Sequence, residues 1–304
     1  MVSVRVPATT ANLGPGFDSF AMALGWYDQY SAEPARDWRI EVTGEAEGQI
    51  PEDENGRVAV AMQRLFDEVG ESDRAAKVEC QTRIPPGRGL GSSAAATVAG
   101  LMLADAMVEN PISRSEILRL AYEIEGHADN VSAALFGGFT LAWLENGQPR
   151  SVRLDPATGL AAVVVVSDAT YPTSEAREAL PEKVPVEDAV FNVSRAALLA
   201  AGLTLGRVDL ARPGLADRLH EPYRAARVKD LDQVAAALKA AGCDGAVLSG
   251  AGPTVVGILL DTDDSSALER AVGAAAEAAR LIKGMPDRRE PVAVPIDRRG
   301  ASII

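Results

Sequence analysis

Residues 2–6, 38–43 and 77–84 alternate apolar and polar positions, the period-two mark of strands with one buried face. The first should stop at Pro7, because proline cannot donate to a strand ladder. Helical spacing marks 57–69, and 94–107 collects good helix formers with no proline. In 113–125, Ser113 and Glu116 spell a capping box, Ile117, Leu120, Ala121 and Ile124 share a face, and Gly126 ends the helix. Another helical run opens at Asp129-Asn130 and closes at Gly137-Gly138; a strand over 139–144 and a hairpin return over 151–154 follow. Beyond a polar Pro/Gly linker at 155–159, the continuous apolar run 160–166 predicts a buried strand. Helices are expected at 173–180, 186–201, 230–241 (capped) and 265–281, with strands at 245–248, 254–260 and 291–295. Strands and helices intermixed, with hairpin returns, predict an α+β chain of two domains, 1–157 and 158–304.

Composition narrows the function classes. At 304 residues, with 24% charged and 47% hydrophobic, the chain can bury a substantial core. A net charge of −13 argues against a nucleic-acid partner and obliges any anionic substrate to find a local positive site. Cys80 and Cys243 are too few for a disulfide framework and lack metal-ligand spacing. The N-terminus shows no secretory pattern, and apolar runs such as 160–166 fall short of a bilayer span. The expectation is a cytoplasmic protein with no membrane partner.

The chemistry concentrates in Pro85-Pro86-Gly87-Arg88-Gly89-Leu90-Gly91-Ser92-Ser93-Ala94-Ala95, between a predicted strand and a predicted helix. Alternate glycines permit a tight backbone, and the start of a helix offers unpaired amides and a positive dipole end to phosphate. No Lys-Ser or Lys-Thr follows the last glycine, and the spacing is not that of the dinucleotide fingerprint. Ser92 and Ser93 serve either as helix caps or as hydroxyl ligands for Mg²⁺, with Glu125 as a second oxygen donor or merely a solvated carboxylate. The two histidines, His127 and His220, sit among polar residues but in no metal cluster. If Arg177 and Arg224 converge, they form a guanidinium pair suited to a carboxylate.

Three segments in order resemble the motifs of the small-molecule kinases named for galactokinase, homoserine kinase, mevalonate kinase and phosphomevalonate kinase. They are the 7–18 loop, the 85–95 loop, and Leu248-Ser249-Gly250-Ala251-Gly252-Pro253-Thr254. Ala11-Asn12-Leu13-Gly14-Pro15-Gly16-Phe17-Asp18, Glu125-Gly126-His127-Ala128-Asp129-Asn130-Val131, Thr173-Ser174-Glu175-Ala176-Arg177 and His220-Glu221-Pro222-Tyr223-Arg224 bring the resemblance closest to the homoserine kinases. The resemblance implies an N-terminal domain like domain 2 of ribosomal protein S5 and a ferredoxin-like C-terminal domain. It implies ATP and Mg²⁺, with L-homoserine as acceptor on the route to threonine, and often a homodimer. By position, Pro85 to Ala95 would wrap the ATP phosphates, with Ser93 and Glu125 on the metal. Asn12 and Thr173 would approach the reacting groups. Asp18, His127, Asp129 and Asn130 would hold the amino acid, and Arg177 and Arg224 its carboxylate. No general base is assigned; the hydroxyl would lose its proton to phosphate or solvent. The alternatives are a relative acting on mevalonate or a sugar, and a nucleotide-binding sensor without catalysis.

Overall fold

The computed structural model describes residues 1–171, 173–228, 230–261 and 266–304, with the side chains of 173 and 174 outside the description. The chain opens with β1 (Val2–Ala11), β2 (Phe20–Ala35), β3 (Arg39–Gly44), α1 (Arg57–Glu68), β4 (Ala75–Thr82), α2 (Ser92–Asp105), α3 (Arg114–Glu125) and α4 (Asp129–Phe136). The hairpin β5 (Phe139–Glu145) and β6 (Gln148–Leu154) follows, then β7 (Leu160–Val165), α5 (Thr173–Glu178), α6 (Val186–Leu205), α7 (Val208–Gly214) and α8 (Glu221–Ala225). The last elements are α9 (Leu231–Ala240), β8 (Gly245–Leu248), β9 (Val255–Leu260), α10 (Ala267–Leu281), β10 (Val292–Pro295) and β11 (Ser302–Ile303).

The first sheet has seven strands, ordered β11-β1-β2-β4-β3, with β5 on β2 and β6 on β5. Only the β3–β4 pair is parallel. Helix α2 is apolar all round, its residues 94–104 being buried, and packs beside α1, α3, α4 and β1 at the centre of this half. The second sheet runs β10-β7-β9-β8, all antiparallel. With α9 preceding β8 and α10 linking β9 to β10, this is the β-α-β-β-α-β order of a ferredoxin-like unit. One face of β7, with Leu160, Ala162 and Val164, joins the core of the first sheet, while Ala161, Val163 and Val165 join a second core under α9 and α10.

Several expectations need correction. β1 does not stop at Pro7: it bulges between Pro7 and Ala8 and runs on to Ala11. Its neighbour β11 reaches only Val4 and Arg5, so a proline at 7 deprives no partner on that side. The sixteen-residue β2 is not signalled by simple alternation, because its two halves face different neighbours, β5 at 20–22 and β4 at 29–35. Asp230 does not cap α9; its carboxylate is held instead by Arg288 at 2.6 and 2.7 Å. Residues after 296 leave the second unit, since β11 adds to β1 and the Ala301 amide donates to Ala134 O at 2.8 Å. Against the expected shortage of long apolar segments, α6 is twenty residues long and, by length and composition alone, apolar enough to cross a bilayer, with few of its residues buried.

Candidate active site

Three turns meet between the sheets. The Thr9 amide donates to Leu90 O at 3.0 Å, and the Gly250 amide donates to Ala11 O at 3.1 Å. The Ser249 hydroxyl donates to Gly89 O at 2.6 Å and lies 2.9 Å from the Thr10 hydroxyl. Gly89 and Gly91 have φ of 80° and 70°. A Cβ at Gly89 would stand 2.3 Å from Ser249 O, and one at Gly91 2.0 Å from Thr9 Oγ1. These glycines are therefore demanded by the contact between motifs as much as by any ligand.

Gly91 is the N-cap of α2, so Ser92 and Ser93 stand inside the first turn rather than at the cap. The first intrahelical bond runs from the Ala95 amide to Gly91 O at 2.8 Å. The amides of Ser92, Ser93 and Ala94 thus have no partner within the helix, and all three residues line the cleft. Gly87, Gly89 and Gly91 line it too; Pro85, Pro86, Arg88, Leu90 and Ala95 do not. Leu90 and Ala95 are wholly buried in the core. Arg88 turns away to the carbonyls of Pro86, Ser167 and Asp168 at 2.7, 3.1 and 3.2 Å, clamping the loop to the end of β7.

Opposite this helix start lie Asn12, Asp18, Glu125, His127, Asp129, Asn130, Arg177 and Arg224, residues from distant parts of the chain that share the one cleft. Asn12 (φ 71°) and Asp18 (φ 55°) hold left-handed conformations, and the Asp18 amide donates to Asn12 Oδ1 at 3.0 Å. Gly250 O accepts from both Asn12 Nδ2 at 2.8 Å and Arg224 Nη1 at 2.9 Å. Arg177 grips Asp18 with two bonds of 2.8 Å, so these two candidate substrate groups hold each other. Arg224 is 2% exposed, bonded to carbonyls and to His220, and no carboxylate pairs with it among the described residues. Desolvation lowers its pKa. The arginines do converge: their guanidinium carbons lie 5.9 and 5.2 Å from the Phe17 ring centroid. Thr173 begins α5, but its side chain is outside the described residues.

The family description GHMP kinases N terminal domain matches residues 56–138, and GHMP kinases C terminal matches 194–278. Homoserine kinase of Streptomyces avermitilis is 41% identical over 307 residues, covering 100% of this chain and 95% of its own. Homoserine kinase of Carboxydothermus hydrogenoformans is 40% identical over 259 residues, covering 85% of each. This chain belongs to the homoserine kinases. It is thus a small-molecule kinase that uses ATP, and its two-domain α+β architecture is that of the family. The crystal structure of homoserine kinase from Cytophaga hutchinsonii matches with a TM-score of 0.87 at 26% identity, over 100% of this chain and 97% of that one. A mevalonate kinase crystal structure at 14% identity and TM-score 0.71 shares the fold.

In this kinase Glu125, at the end of α3, has a side chain only 5% exposed. Its Oε1 accepts from Ser93 at 2.8 Å and Thr97 at 2.6 Å, leaving Oε2 with His127 Nε2 at 3.9 Å. A hydroxyl and a carboxylate beside a helix start whose first amides have no partner within the helix are the kind of hard oxygen donors that Mg²⁺ takes, one or two at a time. His127 Nδ1 meets Asp129 Oδ1 at 2.9 Å. Burial works to lower the His127 pKa, but the Asp129 bond and the charges of Asp129 and Glu125 outweigh it and raise the value. Asp129 is lowered correspondingly: burial opposes this, and the His127 bond prevails.

Sequence reasoning left out several participants. Thr9 donates to Asn130 Oδ1 at 2.7 Å, and Thr97 backs Glu125. Tyr171 lines the cleft, and Phe17 lies beneath both arginines. Thr97, one turn after Ser93 on the same helical face, could have been found by spacing; Tyr171 gave no local signal.

Proposed function

We propose that the chain transfers the γ-phosphoryl group of ATP to the side-chain hydroxyl of L-homoserine, releasing ADP and O-phospho-L-homoserine. The observation that carries the acceptor is Arg224, a cation buried without an acidic partner among the described residues, in the same cleft as the free amides of α2. A buried charge needs a counter-ion, and a substrate carboxylate is the natural one. A neutral sugar would leave that charge bare.

The amides of Ser92, Ser93 and Ala94, with the dipole of α2 behind them, hold the phosphates and stabilise charge on the transferred group. Ser93 and Glu125 would hold Mg²⁺, which would supply charge neutralisation at the phosphates. Asp18 takes the substrate ammonium and Arg177, released from Asp18, joins Arg224 on the carboxylate. One substrate zwitterion thus replaces both halves of the existing ion pair. Asn12 has both ends of its amide engaged, so it positions the hydroxyl rather than taking its proton. His127, Asp129 and Asn130 complete the acceptor side, and Thr173 approaches the γ-phosphate.

The test is kinetic. Arg224→Ala and Arg177→Ala should each raise KM for L-homoserine about tenfold or more, with KM for ATP within about twofold. Equal weakening of both substrates would remove the assignment. The exposed face of α6, with Val186, Val190 and Val193, supports a homodimer through a second copy of this helix.

A further inference from the structure

His220 is wholly buried and touches no cleft surface, yet it sits between the two halves of the acceptor site. Its Nε2 lies 2.8 Å from Gly14 O. A carbonyl can only accept, so Nε2 carries the hydrogen. Its Nδ1 lies 3.3 Å from Arg224 Nη1, which can only donate, so Nδ1 must be bare. One neutral tautomer satisfies both contacts, whereas a protonated ring would set N–H against N–H. Desolvation lowers the His220 pKa; Asp217, with Oδ2 3.8 Å from Nε2, opposes this, and the charge of Arg224 lowers it further. Asp217 is itself occupied by the amides of Leu219, His220 and Glu221 and by Asn192. Phe17 stacks on the imidazole at 5.3 Å and 29°, and the same ring lies beneath both arginines.

We infer that His220 is a positioning residue for the acceptor. Its bare Nδ1 fixes the guanidinium of Arg224 and so aims it at the acceptor carboxylate, while the Nε2–H on Gly14 O holds the ring in the tautomer that leaves Nδ1 bare. The inference rests on the reading of Arg224 as the carboxylate group. Without the imidazole, Nη1 keeps Gly250 O and Nε keeps a long bond to Ala176 O among the described residues, so the guanidinium loses one of its three anchors.

The test compares two replacements. In His220→Gln the amide reaches the Nε2 position and keeps the Gly14 contact, but no acceptor stands at Nδ1. In His220→Asn the amide oxygen takes the Nδ1 position. The expected result is KM for L-homoserine raised about tenfold in His220→Gln and within about threefold of wild type in His220→Asn, with KM for ATP and kcat within about twofold in both. In an Arg224→Ala background, His220→Gln should add no further change in KM. A parallel rise for ATP, no rise for either substrate, Asn no better than Gln, or additivity with Arg224→Ala would each overturn it. Should His220→Gln not fold, a tenfold loss of homoserine affinity in His220→Asn contradicts the inference. If Arg224→Ala alone leaves KM for homoserine unchanged, the carboxylate reading fails first, and independently of His220.

Discussion

Several side chains of the cleft are fixed by partners within the chain, and close by, next to the buried His220, a carboxyl keeps its proton in an unusual place. Glu221 begins α8, and its Oε1 accepts the Leu248 amide at 2.7 Å, stitching that helix to β8. Desolvation pushes its carboxyl up to about 8, from an ordinary 4.5. Between those values the folded protein keeps a proton that the unfolded chain gives up. Stability should therefore fall as pH rises from about 4.5 to about 8 and be insensitive to this group below that window. Glu221→Gln retains the acceptor for Leu248 and has nothing to titrate. Urea midpoints measured across the window should show a smaller decline in the variant; parallel curves would refute the linkage. At this scale the sequence was a good guide to which side chains meet: Asn12, Asp18, Glu125, His127, Asn130, Arg177 and Arg224 share one cleft. It could not reveal that Arg177 is already engaged by Asp18, or that Arg88 faces away, because both depend on partners about 80 to 159 positions distant.

Among the elements, those governed by local chemistry were the legible ones. Ser113 and Glu116 do form the capping box of α3, and Gly126 ends it at φ 76°. The β5–β6 hairpin turns at Asn146-Gly147, both at positive φ, as Asn-Gly turns do. β2 was not legible, because it changes neighbours partway and so mixes two patterns of exposure. The start of α2 was misread by one step: a serine is the usual cap, but Thr9 and Asn130 crowd position 91 so closely that only glycine fits there. Helix α6 poses the opposite case, an apolar face that nothing among the described residues covers; Val190 is 63% and Val193 72% exposed. Replacing either valine with aspartate should convert the proposed dimer to a monomer in light scattering while leaving the melting temperature within a few degrees. An unchanged mass would point the α6 face elsewhere.

Across the whole molecule, the active cleft depends on the two sheets being one body. β7 contributes a face to each core, the last residues return to pair with β1, and Arg289 reaches from the second unit to Glu45 of the first at 2.8 and 3.0 Å. The two-domain α+β architecture was visible from the pattern of strands and helices. The returning tail was not, since two strand residues carry no periodicity. The chain's net charge of −13 gains meaning at this scale: in an acidic molecule, α2's amide-rich start and two convergent arginines are the local exception that an anionic nucleotide and a carboxylate-bearing acceptor require. The most direct test of that claim is phosphorus NMR of the purified protein with MgATP and one acceptor at a time. With L-homoserine, a phosphomonoester resonance coupled to the side-chain methylene protons should grow as ADP appears, while mevalonate and galactose should give none. A phosphomonoester from mevalonate or galactose but not from L-homoserine would contradict the account.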